Sequence, residues 1–190
     1  MEDFAIFDNQ NFQSAFKNQT PYVEKNAGEG YNVEWDDIFE LLDIDTKDGK
    51  PCGRKRYSDG GYIILNAIRI PDILAASNKL LQFFEPVEQN TKYSQAERSS
   101  QLNVNITTEK GTYGTHHNDF ENVIFWNIKG KSKWKIYDKS VSLDQIDEDK
   151  VELEVILEPG DILFCPHSRV HKVEPITPRF GASLAFQKVL

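Results

Sequence analysis

The chain has 190 residues, and 22 Lys plus Arg against 30 Asp plus Glu leave a net charge of −8 at pH 7. That length fits one domain, and the 39% of hydrophobic residues can build a core without disulfides. The acidic balance excludes a general binder of nucleic acid or of anionic membranes, since both need clustered Lys and Arg. Cys52 and Cys165 are the only cysteines, too few and too far apart for a disulfide framework or a Cys-rich zinc site. Met1-Glu2-Asp3 lacks the basic start of a secretory signal, and the most apolar stretch, Tyr62 to Ala76, is broken by Asn66, Arg69, Pro71 and Asp72. A soluble, cytoplasmic protein with one domain over residues 1–190 is expected.

Residues 1–100 are mixed in texture. Trp35, Ile38, Phe39 and Leu42 fall at i, i+3, i+4 and i+7, the apolar stripe of a helix. Lys47 to Gly61 is polar and Gly-rich and reads as a loop. Pro71 stands where a first-turn proline belongs, and Ile73, Leu74, Leu80, Leu81 and Phe84 follow at helical spacing. Residues 88–100 read as another loop. From residue 101 the pattern turns to strand. Leu102 to Thr108 alternates apolar and polar, Val123 to Ile128 is rich in β-branched and aromatic residues, and Lys133 to Tyr137 alternates again. Gly130-Lys131-Ser132 reads as the hairpin turn between the last two. Further short strands are expected at 152–157, 161–165, 170–174 and 181–186. Many short strands with turn signals between them favour an antiparallel barrel or sandwich over a parallel sheet.

All four histidines lie in two short segments of this β-rich half: His116 and His117, then His167 and His171. His117 and Asp119 are two apart, so on an extended chain both side chains leave the same face. Two imidazoles and one carboxylate make the facial triad that holds non-haem Fe(II) and leaves positions open for substrate and O2. The residues alone leave other readings standing. Asn118-Asp119 suits a turn, His116 is an alternative ligand at a spacing of three from Asp119, and His167 beside Pro166 suits an exposed loop.

The pattern Gly160-x5-Pro166-x-Ser168-x2-His171 resembles the second cupin motif, with Ser168 where a glycine is usual. Gly111-x5-His117-x-Asp119, with Gly130 closing the next strand, is similar to the first cupin motif. The run from His117 to Tyr137, with Ile128-Lys129-Gly130 and Trp134, resembles the cupin-like, Jumonji-type (JmjC) 2-oxoglutarate oxygenases. Phe16 to Lys25 and Trp35-Asp36-Asp37-Ile38 are similar to the N-terminal part of that family. The resemblance implies a mainly β fold, a double-stranded β-helix (cupin, jelly-roll) core over 101–190 with the N-terminal helices packed outside. It also implies Fe(II) held by His117, Asp119 and His171, with 2-oxoglutarate and O2 as cosubstrates. Hydroxylation is the expected outcome, because halogenating relatives lack the carboxylate that Asp119 supplies.

Two departures sharpen the expectation. The family commonly places a Lys inside the barrel two residues after the hairpin Gly, and here that position is Ser132, with Lys131 and Lys133 pointing the other way by alternation. A buried distal carboxylate needs a cation. Arg179, in Pro178-Arg179-Phe180-Gly181-Ala182-Ser183, resembles the arrangement of prolyl-hydroxylase-type oxygenases. Arg179 and Ser183 share a face and are expected at the cosubstrate, and Tyr113 is expected near the pocket mouth. Trp126 and Trp134 are expected as core aromatics, and Cys165 as a buried thiol. Two other readings remain: a metal cupin acting without 2-oxoglutarate (an isomerase or dioxygenase), and a non-enzymatic ligand-binding cupin. The chain ends at Leu190, just past the last expected strand and without the helical extension that many protein-hydroxylating relatives use to dimerise. A monomer acting on a small molecule or peptide is therefore expected.

Overall fold

The computed structural model describes residues 9–28, 34, 36, 53–57, 62–67, 101–107 and 115–186. The helices expected around 35–42 and 71–84, and Tyr113, lie outside these residues, save for Asp36, which is helical. The chain order is α1 (Gln10–Asn18), β1 (Tyr22–Glu24), β2 (Gly53–Tyr57), β3 (Tyr62–Ala67), β4 (Gln101–Thr107), β5 (Asn122–Lys129) and β6 (Ser132–Tyr137). A short 3-10 turn (Glu148–Lys150) then leads to β7 (Val151–Leu157), β8 (Ile162–Cys165), β9 (His171–Pro175) and β10 (Arg179–Phe186). Among the described residues one sheet has seven strands in the order β1-β8-β5-β10-β4-β3-β2, and the other has three, β7-β6-β9. Every pairing is antiparallel. The strands expected from alternation and β-branched runs are all present, as a jelly-roll. No helix among the described residues is long and apolar enough to cross a membrane.

The core sits between the two sheets. Val123 and Phe125 of β5, Leu163 and Cys165 of β8 and Ala185 of β10 meet Trp134 and Ile136 of β6 and Leu157 of β7. On β6, Ser132, Trp134 and Ile136 are buried, while Lys133 and Lys135 pair with Glu154 and Glu148. The period of two thus separates a core face from a charged one. β5 is buried on both faces. Its Ile124 lies opposite Phe164 of β8, whose ring meets Phe12 and Phe16 of α1, and Trp126 lies against Gly28.

Local chemistry sets the ends of these elements. Asn9 caps α1, its Oδ1 accepting from the N–H groups of Asn11 and Phe12. Gly130 makes the β5–β6 turn at φ +71, where an added Cβ would lie 1.9 Å from the Pro178 carbonyl oxygen, so only glycine fits. Asn127 Nδ2 donates to its carbonyl at 2.7 Å.

One expectation is corrected. The segment read as a loop from Lys47 to Gly61 contains strand β2, paired with β3 from Gly53↔Asn66 to Tyr57↔Tyr62. Arg54, Lys55 and Arg56 hid it, yet β2 is the sheet's outermost strand, where charged side chains are tolerated and even protective.

Candidate metal centre

His171 opens β9 and is almost fully buried. Its imidazole stacks on Trp134, with ring centroids 5.7 Å apart and planes 18° apart. Trp134 is itself held by an Nε1–H bond to Ser132 Oγ at 3.2 Å, and Ser132 donates to Asn127 Oδ1 at 3.0 Å. The Nδ1 of His171 lies 3.0 Å from the Arg169 carbonyl oxygen. A carbonyl only accepts, so Nδ1 carries the proton and Nε2 presents its lone pair. Burial, and then the neighbouring His117, push the His171 pKa down to about 4. The ring is therefore neutral at physiological pH, the state a ligand needs. Cys165 Sγ stands 3.7 Å from the same Nδ1, and burial pushes its thiol pKa far up.

His117 reaches the site by a different route. It forms an isolated bridge to His171, each residue donating its N–H to the other's carbonyl, at 3.0 and 2.8 Å. Residues exchanging both bonds across an antiparallel pair put their side chains on the same face, and here the two rings lie 4.1 Å apart. His117 Nδ1 lies 3.2 Å from the Thr115 carbonyl oxygen. Both histidines thus use the carbonyl two residues upstream to fix the same tautomer. Asp119 is placed by its own carbonyl, which accepts from Ser168 N–H at 2.7 Å. Ser168 adopts φ 58, a left-handed conformation that explains why glycine is usual there. Asp119 Oδ2 stands 3.6 Å from His171 Nε2, and one donor atom from each of His117, Asp119 and His171 lies within 4.8 Å of the others.

This donor set fits a divalent transition metal: two imidazoles with Nε2 free, and one carboxylate. His117 is exposed and Asp119 partly so, which leaves one side open to incoming ligands. His167 stays outside the cluster, its exposed ring 3.3 Å from Ser168 Oγ. His116 points elsewhere, its Nε2 2.9 Å from Tyr137 Oη.

Arg179 is 2% exposed and Ser183 is also buried. The Arg179 guanidinium lies over the Phe125 ring, 5.7 Å from its centroid, and Ser183 is opposite Phe125 in the β10–β5 register. Gly181 separates them. A Cβ there would come within 2.3 Å of the same Phe125 ring, so Phe125 can lie close against β10 only because residue 181 has no side chain. Ser132 is buried, donating to Asn127 and accepting from Trp134, while Lys131 and Lys133 pair with Glu158 and Glu154 at the surface. Sequence reasoning missed Tyr137 and Glu148, which meet His116. The signal available was the doublet His116-His117, which on a strand sends one imidazole to each face.

A family model described as the JmjC domain matches residues 80–189, more than half of the chain. No curated protein sequence matches the chain. Among solved structures, YcfD, a ribosomal oxygenase from Escherichia coli, in complex with cobalt and 2-oxoglutarate, superposes with a TM-score of 0.66 at 17% identity. The match covers 96% of this chain and 53% of that one. The same protein with cobalt and succinic acid gives a TM-score of 0.65 at 18% identity, covering 96% and 52%. The chain spans about half the length of these structures, and at such identity the likeness is one of fold. Together with the family match, it places the chain in the JmjC domain family.

Proposed function

We propose that the chain is an Fe(II)- and 2-oxoglutarate-dependent oxygenase that hydroxylates a small molecule or a peptide side chain, and that residues 1–190 form one such domain. The observation that carries this reading is the convergence of His117, Asp119 and His171, with both Nδ1 atoms beside backbone carbonyls. When bound, iron with 2-oxoglutarate supplies O2 activation: the keto acid becomes succinate and CO2 as one oxygen atom enters the substrate. The chain's part is to hold and orient. The neutral, buried His171, the part-exposed Asp119 and the exposed His117 would hold the ion, with His117 and Asp119 on the side nearer solvent. Asp119 fills the position that a halide would need, which favours hydroxylation.

Arg179 is the proposed partner of the distal carboxylate of 2-oxoglutarate, with Ser183 as a further hydroxyl on that strand. A guanidinium binds carboxylate through two parallel N–H bonds. Burial over Phe125 shields that pair from water. Ser132 carries no charge and bonds Trp134 and Asn127, so the proposed anchor stands on β10 rather than at the β6 position usual in the family.

The test is anaerobic addition of Fe(II) and then 2-oxoglutarate, reading the weak visible charge-transfer band of a chelated keto acid. A band is expected. Arg179→Ala is expected to weaken 2-oxoglutarate binding about 30-fold or more, as truncating one side of a buried charge pair costs about 2–5 kcal/mol, with Fe(II) affinity unchanged. A wild-type protein that binds iron and gives no band would overturn the 2-oxoglutarate reading. An Arg179→Ala variant with normal affinity would overturn the anchor. Formaldehyde release in place of a stable alcohol would redirect the assignment to demethylation.

A further inference from the structure

We infer that Tyr137 is a positioning residue for the metal centre, acting through His116 to set where His117 and Asp119 stand relative to His171. This rests on the metal site proposed above. A register shift between Ile136 and Tyr137 leaves both residues fully buried and turns the Tyr137 ring into a separate small core with Val141 and Val170, against which Ile146 and Val151 pack. Packing against Val141 and Val170, none of it made by a metal ligand, therefore fixes where its hydroxyl sits. That hydroxyl donates to Glu148 Oε1 at 2.8 Å and lies 2.9 Å from His116 Nε2. The His116 and Tyr137 rings meet edge-on, with centroids 5.3 Å apart.

The Tyr137 backbone is tied to the other ligand segment. Its N–H donates to the carbonyl of Val170, the residue before His171, at 2.9 Å, and its carbonyl accepts from Arg169 Nη1 at 3.3 Å. One residue thus spans both ligand-bearing segments, by backbone to one and by side chain to the other. The polarity of the chain is set from its far end. Lys135 and then Tyr137 hydrogen-bond Glu148 and hold its carboxyl below the usual range. Burial, with Glu148 beside it, pushes the Tyr137 phenol up, so it stays an O–H. The phenol donates to Glu148 and is left to accept from a His116 N–H. His116 meets Tyr137 while the adjacent His117 meets His171, and the two share a peptide bond, so a bond that holds one holds the other.

Co(II) titration, reading Kd and the visible ligand-field spectrum, tests this without turnover. Tyr137→Phe keeps the ring and deletes the hydroxyl. It is expected to weaken Co(II) about 3–10-fold, less than the cost of losing a hydrogen bond made directly to a ligand because this one acts through a neighbouring residue, and to alter the spectrum. His116→Ala, at a side chain 25% exposed, tests the same link should Tyr137→Phe not fold. The double variant is expected to be no weaker than the weaker single, because the Tyr137 hydroxyl acts through His116, which also stands 3.5 Å from Glu148 Oε1. Glu148→Gln, which keeps an acceptor oxygen, is expected to retain near wild-type affinity. A merely structural Tyr137 would lower the melting temperature of the metal-free protein while leaving Kd within twofold, and that result would overturn the inference, as would additive losses in the double variant. Wild-type protein that binds no Co(II) would overturn the metal site itself, and the inference with it.

Discussion

His117 and His171 exchange backbone hydrogen bonds across one bridge, yet they live in opposite surroundings. His171 is 3% exposed and begins a strand that pairs with β6 over five residues. His117 is exposed, and among the described residues its segment pairs only through that bridge. The buried half supplies a fixed position and a neutral ring. The exposed half supplies access, and its placement depends on a few bonds from outside: Ser168 to the Asp119 carbonyl, and Tyr137 to His116. A site of this kind is rigid on one side and reachable on the other.

Replacing one ligand from each half gives the largest test of that contrast. Asp119→Ala and His171→Ala are both expected to abolish measurable Co(II) binding by calorimetry. Their effects on the metal-free protein should diverge. His171→Ala leaves a void beside Trp134 and is expected to cost about 2 kcal/mol or more in denaturant melts. Asp119→Ala, at a side chain 39% exposed, is expected to stay within about 0.5 kcal/mol. Equal losses would remove the distinction between the halves.

Acidification provides a second, smaller test. The folded-state pKa of His171 is pushed down to about 4, against about 6.5 for a free histidine. Between those values the unfolded chain binds a proton that the metal-free fold does not. The stability from the neutral ring is complete above pH 6.5 and is lost as pH falls towards 4. Melting temperatures of the metal-free protein should fall through this window, and His171→Ala should flatten the fall; an unchanged slope would show that other groups set it. The smallest effect is expected from Ser168→Gly. Relief of the left-handed backbone, about 1–2 kcal/mol, is offset in part by glycine's extra freedom when unfolded. A net gain of up to about 1 kcal/mol in melts is expected, and a loss would mean that the Ser168 hydroxyl does more than meet His167.

Legibility in the sequence followed the strength of the local signal. From Asn122 onward the strands announced themselves in two ways: by alternation in β6, where packed Trp134 and Ile136 alternate with charged Lys133 and Lys135, and by unbroken apolar runs in β5 and β8, buried on both faces. Strand β2 was hidden because an outermost strand need not alternate, and Gly53-Arg54-Lys55-Arg56 looks like a loop. Helix α1 was overlooked although Asn9 caps it and Phe12, Ala15 and Phe16 stand at i, i+3 and i+4; nine residues are too short for that stripe to stand out. At the site, the pair His117 and Asp119 was readable from parity. Joining it to His171, 54 positions on (171 − 117), needed family resemblance, since no local pattern encodes a pairing between segments so far apart in sequence. The outer support from Tyr137 and Glu148 was invisible for the same reason. It arises from a register shift at Tyr137 that alternation cannot foresee.

Strand β5 puts Phe125 into the layer between the sheets and Trp126 against the opposite side, near Gly28. Neighbouring residues therefore belong to different cores, and their assignment depends on counting in twos. Deleting a single residue ahead of Phe125 would send the indole inward and the buried amide of Asn127 out among aromatic rings. The strand is thus free to evolve by exchange of side chains but closed to changes of length. The exposed stretch around Leu143 to Gln145 has no such bookkeeping to keep, and is where this scaffold can accommodate inserted sequence.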